Sequence, residues 1–223
     1  MVLVYTNLHL SGGHINPAVT LCLVLLRKVS VFRCFFYFLS QFLGSMVGAA
    51  LVLACTTGLV GTDLIPENPE FGTVLNPPFN LGSTVLNPAL NAGNGFLLEF
   101  SGTFLLCIVV VQTAVDGRSP ARPYLTPLAV GFTVFVVHLS LVPFTGCGIN
   151  PARTFGPAIV TCMVSSQACG DVIDATWWIY WIGPFTASAI AALVTQFLYE
   201  GPRHQTFIPL VGSTNIDLEA VAN

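Results

Sequence analysis

The chain has 223 residues, of which 8% are charged and 54% hydrophobic. Soluble domains carry about 25% charged residues, so a freely soluble protein is excluded and a lipid environment is implied. The net charge of −3 offers no basic surface for nucleic acid, and no acidic run marks a disordered tail.

The opening run, MVLVYTNLHL, is too short to span a bilayer. It has neither the basic start nor the small-residue cleavage site of a signal peptide, and it reads as the end of a longer apolar segment. SGGHINPAVT follows at 11–20, and the apolar stretch 18–26 comes next. The basic residues Arg27, Lys28 and Arg33 precede a first full span at 34–56. The acidic residues Asp63, Glu67 and Glu70 follow it. An Asn-Pro-Ala triplet at 87–89 leads into LNAGNG rather than an apolar run, which reads as a turn.

A second span covers 96–115 and contains Glu99, Arg118 and Arg122 lie in the next connection, and a third span at 124–142 contains His138. TGCGINPART at 145–154 repeats the earlier motif and runs into a second apolar stretch, 155–164. Asp171 and Asp174 precede a fourth span at 177–199. The polar tail 200–223 carries Arg203, Ser213 and Thr214, with nothing around the two hydroxyls to mark a modification site. The seven cysteines, an odd number scattered through apolar sequence, read as small buried side chains rather than a disulfide or zinc framework.

Basic residues collect in cytoplasmic loops. Alternate crossing places Arg27, Lys28, Arg33, Arg118, Arg122 and Arg203 on one side, and the acidic loops and Asp171 and Asp174 on the other. The exception is Arg153, inside the repeated motif. Three spans separate Asn16 from Asn150, so the two motifs enter from opposite faces. Each apolar stretch is long enough only for a half-helix of roughly 15 Å, begun by an asparagine cap and a proline at the first helical position. Two such half-helices meet tip to tip near the midplane. Irregular glycine-rich backbone at that depth survives when it lines a wet cavity. Its carbonyls and the two asparagine amides would replace the hydrogen-bond partners of a small neutral molecule, while the positive helix ends oppose cations and protons.

The paired boxes resemble those of the aquaporins, the major intrinsic protein family. The resemblance runs from about 11 to 200, with EFSGTF at 99–104 and WWIYWIGPF at 177–185 similar to that family's fourth and sixth spans. It implies an all-α membrane protein, one channel domain with two re-entrant half-helices (within 1–33 and 146–164), and four of the family's full spans. It also implies a pore lined at the boxes by Asn16, Pro17, Ala18, Asn150, Pro151 and Ala152, and a narrow filter at His138, Cys147 and Arg153. Glu99 would support a loop, while His14, just before the first box, reads either as lining the inner vestibule or as loop support through a hydrogen bond. The fourth filter position belongs to a span not found here. Thr154, Ala158, Tyr180 and Trp181 resemble the water-conducting rather than the glycerol-conducting pattern, and Cys147 is expected to react with mercurials from outside.

The expected function is passive water conduction without ions or protons, by a homotetramer needing no cofactor or metal. Lipid and water are the expected partners, the tail 200–223 is expected in the cytoplasm, and the plasma membrane is favoured over internal membranes. Truncation is expected as well, because the half containing Asn16 has one span where the other has three. Upstream sequence should then supply two more segments, the first with a glutamate like Glu99. A poorly conducting regulatory or junctional subunit, or a facilitator of other neutral solutes, is the alternative. A membrane enzyme built on His138 and Cys147 would lack an acidic partner and leave the boxes unexplained.

Overall fold

The computed structural model describes residues 1–56, 80–116, 119 and 125–199. Asp63, Glu67, Glu70, Arg118, Arg122, Arg203, Ser213, Thr214 and the tail 200–223 lie outside the described residues, which are all-helical with no strand.

Helix α1 (Val2–Ser11) ends at Gly12, whose left-handed φ of 77° lets its N–H cap the Leu8 carbonyl. The half-helix α2 (Pro17–Leu25) is capped by Asn16, and the long helix α3 (Val31–Cys55) by Ser30. Helix α4 (Ala92–Val110) starts with a reciprocal cap between Asn91 and Asn94 and continues into a π turn at Val111–Val115. Helix α5 (Thr126–Thr145) ends at Gly146, again left-handed, and the second half-helix α6 (Pro151–Val164) is capped by Asn150. A short helix α7 (Ser166–Val172) and a long α8 (Ile179–Val194), extended by a π turn at Thr195–Tyr199, complete the order.

Four of these helices, with the π turns included, are long and apolar enough to cross a membrane: α3, α4, α5 and α8. They coincide with the expected spans except at their ends. The third runs to Thr145 rather than residue 142, because Pro143 lies within helix α5. Apolar pattern alone marks where a membrane core ends, not where the backbone stops being helical.

Within lipid, helices associate through close packing rather than through expulsion of water, which favours small residues at crossings. The most extensive contact is α4 on α8, with α3 on α6 next. Gly183 of α8 lies where a Cβ would come within 3.0 Å of the Glu99 Cβ, and a Cβ on Gly156 of α6 would run into the Ser45 backbone of α3. An apolar cluster joins Val19 and Leu23 of α2, Leu106 and Val110 of α4, Val137 and Leu141 of α5, and Ala191 of α8. The half-helix α2 is held in the middle of this packing, while α6 packs mainly against α3. Helix α3 is different: its membrane window is 6% buried against 44% for α4, with Phe32, Phe35, Phe36, Leu39 and Leu43 exposed.

The cysteines correct an expectation. Cys162 and Cys169 form a disulfide, with Cα atoms 4.3 Å apart. The Ser165 cap between α6 and α7 turns the chain back on itself and brings the two together. Cys22, Cys107 and Cys147 are buried free thiols, Cys34 is partly buried, and Cys55 is exposed.

Candidate functional site

The two boxes are built alike. Proline supplies the helical φ at the first position and has no N–H to strand, while the asparagine oxygen accepts the next free backbone donor. Asn16 Oδ1 accepts from the Ala18 N–H at 2.8 Å, and Asn150 Oδ1 from the Ala152 and Arg153 N–H groups at 3.0 and 3.3 Å. The amide nitrogens then cross over. Asn16 Nδ2 donates to the Ile149 carbonyl at 2.9 Å, and Asn150 Nδ2 donates to the Ile15 carbonyl at 3.1 Å. Each half-helix therefore has its tip tied to the loop that leads into the other, and the positive ends of both face a common point.

The framework of each half repeats the pattern. Ser188 of α8 donates to the Ala18 carbonyl at 2.7 Å, and Ser45 of α3 donates to the Ala152 carbonyl. Before the second box, Glu99 accepts from Thr145 Oγ1 (2.6 Å), the Gly148 N–H (2.8 Å) and the Ile149 N–H (2.5 Å). Its side chain is fully buried, so these three donors replace the hydration that it has lost. Before the first box, Gln41 of α3 donates to the His14 carbonyl at 2.6 Å and to Thr20 Oγ1 at 2.9 Å, and the His14 ring bonds Thr20 Oγ1 at 2.8 Å. Backbone strain is concentrated here: Cys147 and Ile149 have φ of 56° and 45°. Left-handed backbone at a β-branched residue is rare and costs about 1–3 kcal/mol, which the Glu99 bonds offset.

A cavity of about 300 Å³ lies along the boxes, lined among others by His14, Asn16, Gly148, Asn150, His138 and Arg153. A second, of about 810 Å³, opens towards Lys28 and Arg33. The two share Leu8, Gly12, His14, Val110, Ala114 and Thr126, which makes them consecutive stretches of one path. His138 Nδ1 bonds the Val134 carbonyl at 2.8 Å. A carbonyl can only accept, so Nδ1 is the donor and Nε2 is the ring's remaining polar atom. The Arg153 guanidinium donates to the Gly82 carbonyl at 2.6 Å and to the Gly146 carbonyl at 3.3 Å.

The structure thus brings Asn16, Asn150, His138, Arg153 and His14 to one cavity, with Glu99 behind its wall. It does not bring the others there. Pro17, Ala18, Pro151 and Ala152 are buried behind the asparagines. Cys147 has 0% exposure and belongs to the apolar cluster with Val137 and Leu141, its left-handed φ turning the thiol away from the cavity lining. Residues that sequence reasoning passed over are Gln41, Ser45 and Ser188. For Gln41 and Ser45 the available signal was two polar residues four apart on an otherwise apolar span, which face protein rather than lipid; Ser188 has no such companion three or four residues away.

The family model described as "Major intrinsic protein" matches residues 1–195. The chain belongs to the major intrinsic protein family. Among curated relatives, it is 41% identical over 201 residues to "Aquaporin PIP2-4" of Oryza sativa subsp. japonica, covering 88% of this chain and 62% of that protein. It is 39% identical over 204 residues to "Probable aquaporin PIP2-5" of Arabidopsis thaliana, with the same coverages. The chain therefore spans less than two thirds of the length of these relatives. Its backbone is similar to the X-ray structure of the aquaglyceroporin from Plasmodium falciparum, with a TM-score of 0.73 at 21% identity over 88% of this chain and 76% of that one. The likeness is one of fold. With its apolar helices, membership of the major intrinsic protein family makes this an integral membrane protein.

Proposed function

We propose that this major intrinsic protein is a passive channel for water, with Asn16 and Asn150 at the midplane and His138 and Arg153 at the narrow filter. One observation carries the reading: the crossed asparagine bonds put two opposed helix N-termini at one point of a largely apolar path, on whose wall the asparagine, His138 and Arg153 side chains are the polar groups near that point. Such a point favours a neutral molecule that both donates and accepts, and raises the energy of any cation there. A proton hopping along a water chain meets the same field, reinforced by the Arg153 charge. No step of this function calls for a nucleophile or a cofactor, and the channel reading leaves the enzyme reading without a role for the boxes.

Homotetrameric assembly, a cytoplasmic C-terminus on the side of Arg27 and Lys28, and residence in the plasma membrane complete the proposal. The purified protein in lipid vesicles should raise osmotic shrinkage, followed by light scattering, well above protein-free vesicles and without electrical conductance. Shrinkage equal to empty vesicles, from protein shown to be folded and inserted, would overturn the reading and favour the non-conducting alternative.

A further inference from the structure

The third Asn-Pro-Ala triplet, at 87–89, lies outside the boxes yet copies their local geometry. Asn87 Oδ1 accepts from the Ala89 N–H at 2.9 Å, as Asn16 and Asn150 do from Ala18 and Ala152. Its amide nitrogen has a different destination, the Pro143 carbonyl at 3.1 Å, and its own N–H donates to the Phe144 carbonyl at 2.8 Å. Asn87 thereby clamps the segment 80–89 to the last turn of α5. These are the two pieces of chain that hold Arg153: Gly82 supplies one acceptor carbonyl and Gly146, directly after α5, supplies the other.

The rest of the segment serves the same end. Leu81 and Gly82 are both left-handed, with φ of 58° and 77°, and Ser83 N–H closes the turn on the Asn80 carbonyl at 3.0 Å. Thr84 donates to Thr154 Oγ1 at 3.1 Å, and Thr161 donates to the Asn80 carbonyl at 3.1 Å. Those two bonds run to α6, the helix that carries Arg153, so they move with it. Thr84 and Val85 also pack closely on Gly146, and Leu86 on Ile179 and Tyr180. Asn87 makes the side-chain hydrogen bond that ties the segment, and with it the Gly82 carbonyl, to the last turn of α5 just before Gly146. We propose that Asn87 is a positioning residue for the filter: by setting the separation of the two carbonyls it holds the guanidinium in place, and so sets which neutral solutes pass.

This inference rests on the channel reading, and its test separates the two. Asn87→Asp keeps an oxygen for the Ala89 N–H but replaces the donor to Pro143 by a second oxygen. Thr84→Val is a milder loosening of the same segment. Water and glycerol permeabilities are measured on the same vesicles for the parent, both variants, Arg153→Val, and the Asn87→Asp/Arg153→Val pair. The glycerol-to-water ratio should rise about fivefold in Asn87→Asp, the shift that loss of one ordinary hydrogen bond permits, and by less in Thr84→Val. A variant that is merely less folded lowers both permeabilities together and leaves the ratio alone. In the Arg153→Val background, Asn87→Asp should add nothing, because its effect passes through the arginine. An unchanged ratio in both single variants, or an equal rise with and without Arg153, would overturn the inference. Deuterium exchange at 143–149 supplies the arm independent of conduction: faster exchange in Asn87→Asp supports the clamp and unchanged exchange removes it. A parent impermeable to water sinks the channel reading alone.

Discussion

Arg153 is a fixed charge inside an apolar protein, held by two backbone carbonyls on the cavity wall. On the proposed channel reading, replacing it with valine removes the outer part of the positive barrier and leaves the helix ends, so a proton leak measurable with a pH dye trapped in vesicles is expected; a dye trace equal to the parent would mean the helix ends suffice. His138 bounds the same cavity, and His138→Gly should admit glycerol at a rate that the parent does not reach, read from glycerol-driven swelling. Glu99 acts behind the wall. Glu99→Ala strands the buried Gly148 and Ile149 donors at about 1–3 kcal/mol each, so a clear fall in the thermal unfolding midpoint in detergent is expected, and an unchanged midpoint would refute the support role. At this scale the sequence was readable where a side chain lines the cavity: both asparagines, His138 and Arg153, all on its wall, stand in or near a local motif. It was silent where backbone does the work. The Gly82 carbonyl is written in no letter, and the direction of the Cys147 thiol depends on a φ of 56° that its neighbours impose. The mercurial reaction expected there now requires the thiol to leave its packed position, so Cys55, which is exposed, is the faster target.

Among elements, the four spans were legible because twenty apolar residues in a row have few other fates. The half-helices were legible because an Asn cap and a following Pro fix a helix start wherever it lies. Helix α7 was not, being a short element that tertiary contact with α6 holds in place. The disulfide beside it was hidden for the same reason, since pairing depends on how the chain turns at Ser165. Denatured, unreduced protein should take up alkylating label on five cysteines, and on all seven after reduction; seven labels without reductant would disprove the bridge. The Ser45 and Ser188 bonds to the Ala152 and Ala18 carbonyls occupy matching places in the two halves. Ser45→Ala and Ser188→Ala should therefore each lower stability by a similar amount, about 1 kcal/mol, read from the same unfolding measurement; a large inequality would show that the halves are not built on equivalent joints.

For the molecule as a whole, inversion was deducible from parity, yet the manner in which the halves join was not. Composition gives no hint that Asn16 seeks the Ile149 carbonyl, or Asn150 the Ile15 carbonyl. These bonds bridge separations of 133 and 135 residues, and contacts so distant along the chain close late, after the intervening loops have lost their freedom. Neither half completes the cavity by itself: each provides a cap whose partner is made far along the chain, in the other half. During synthesis, the first half-helix can sit in the membrane with its tip unmatched while the ribosome is still translating the spans that follow. On the proposed channel reading, the passage is completed only when Asn150 joins the Ile15 carbonyl, by which time His138 is already made and Arg153 follows directly. On that same proposed reading, a growing chain is thus never an unguarded hole, and the cell does not have to protect its proton gradient from a half-built channel.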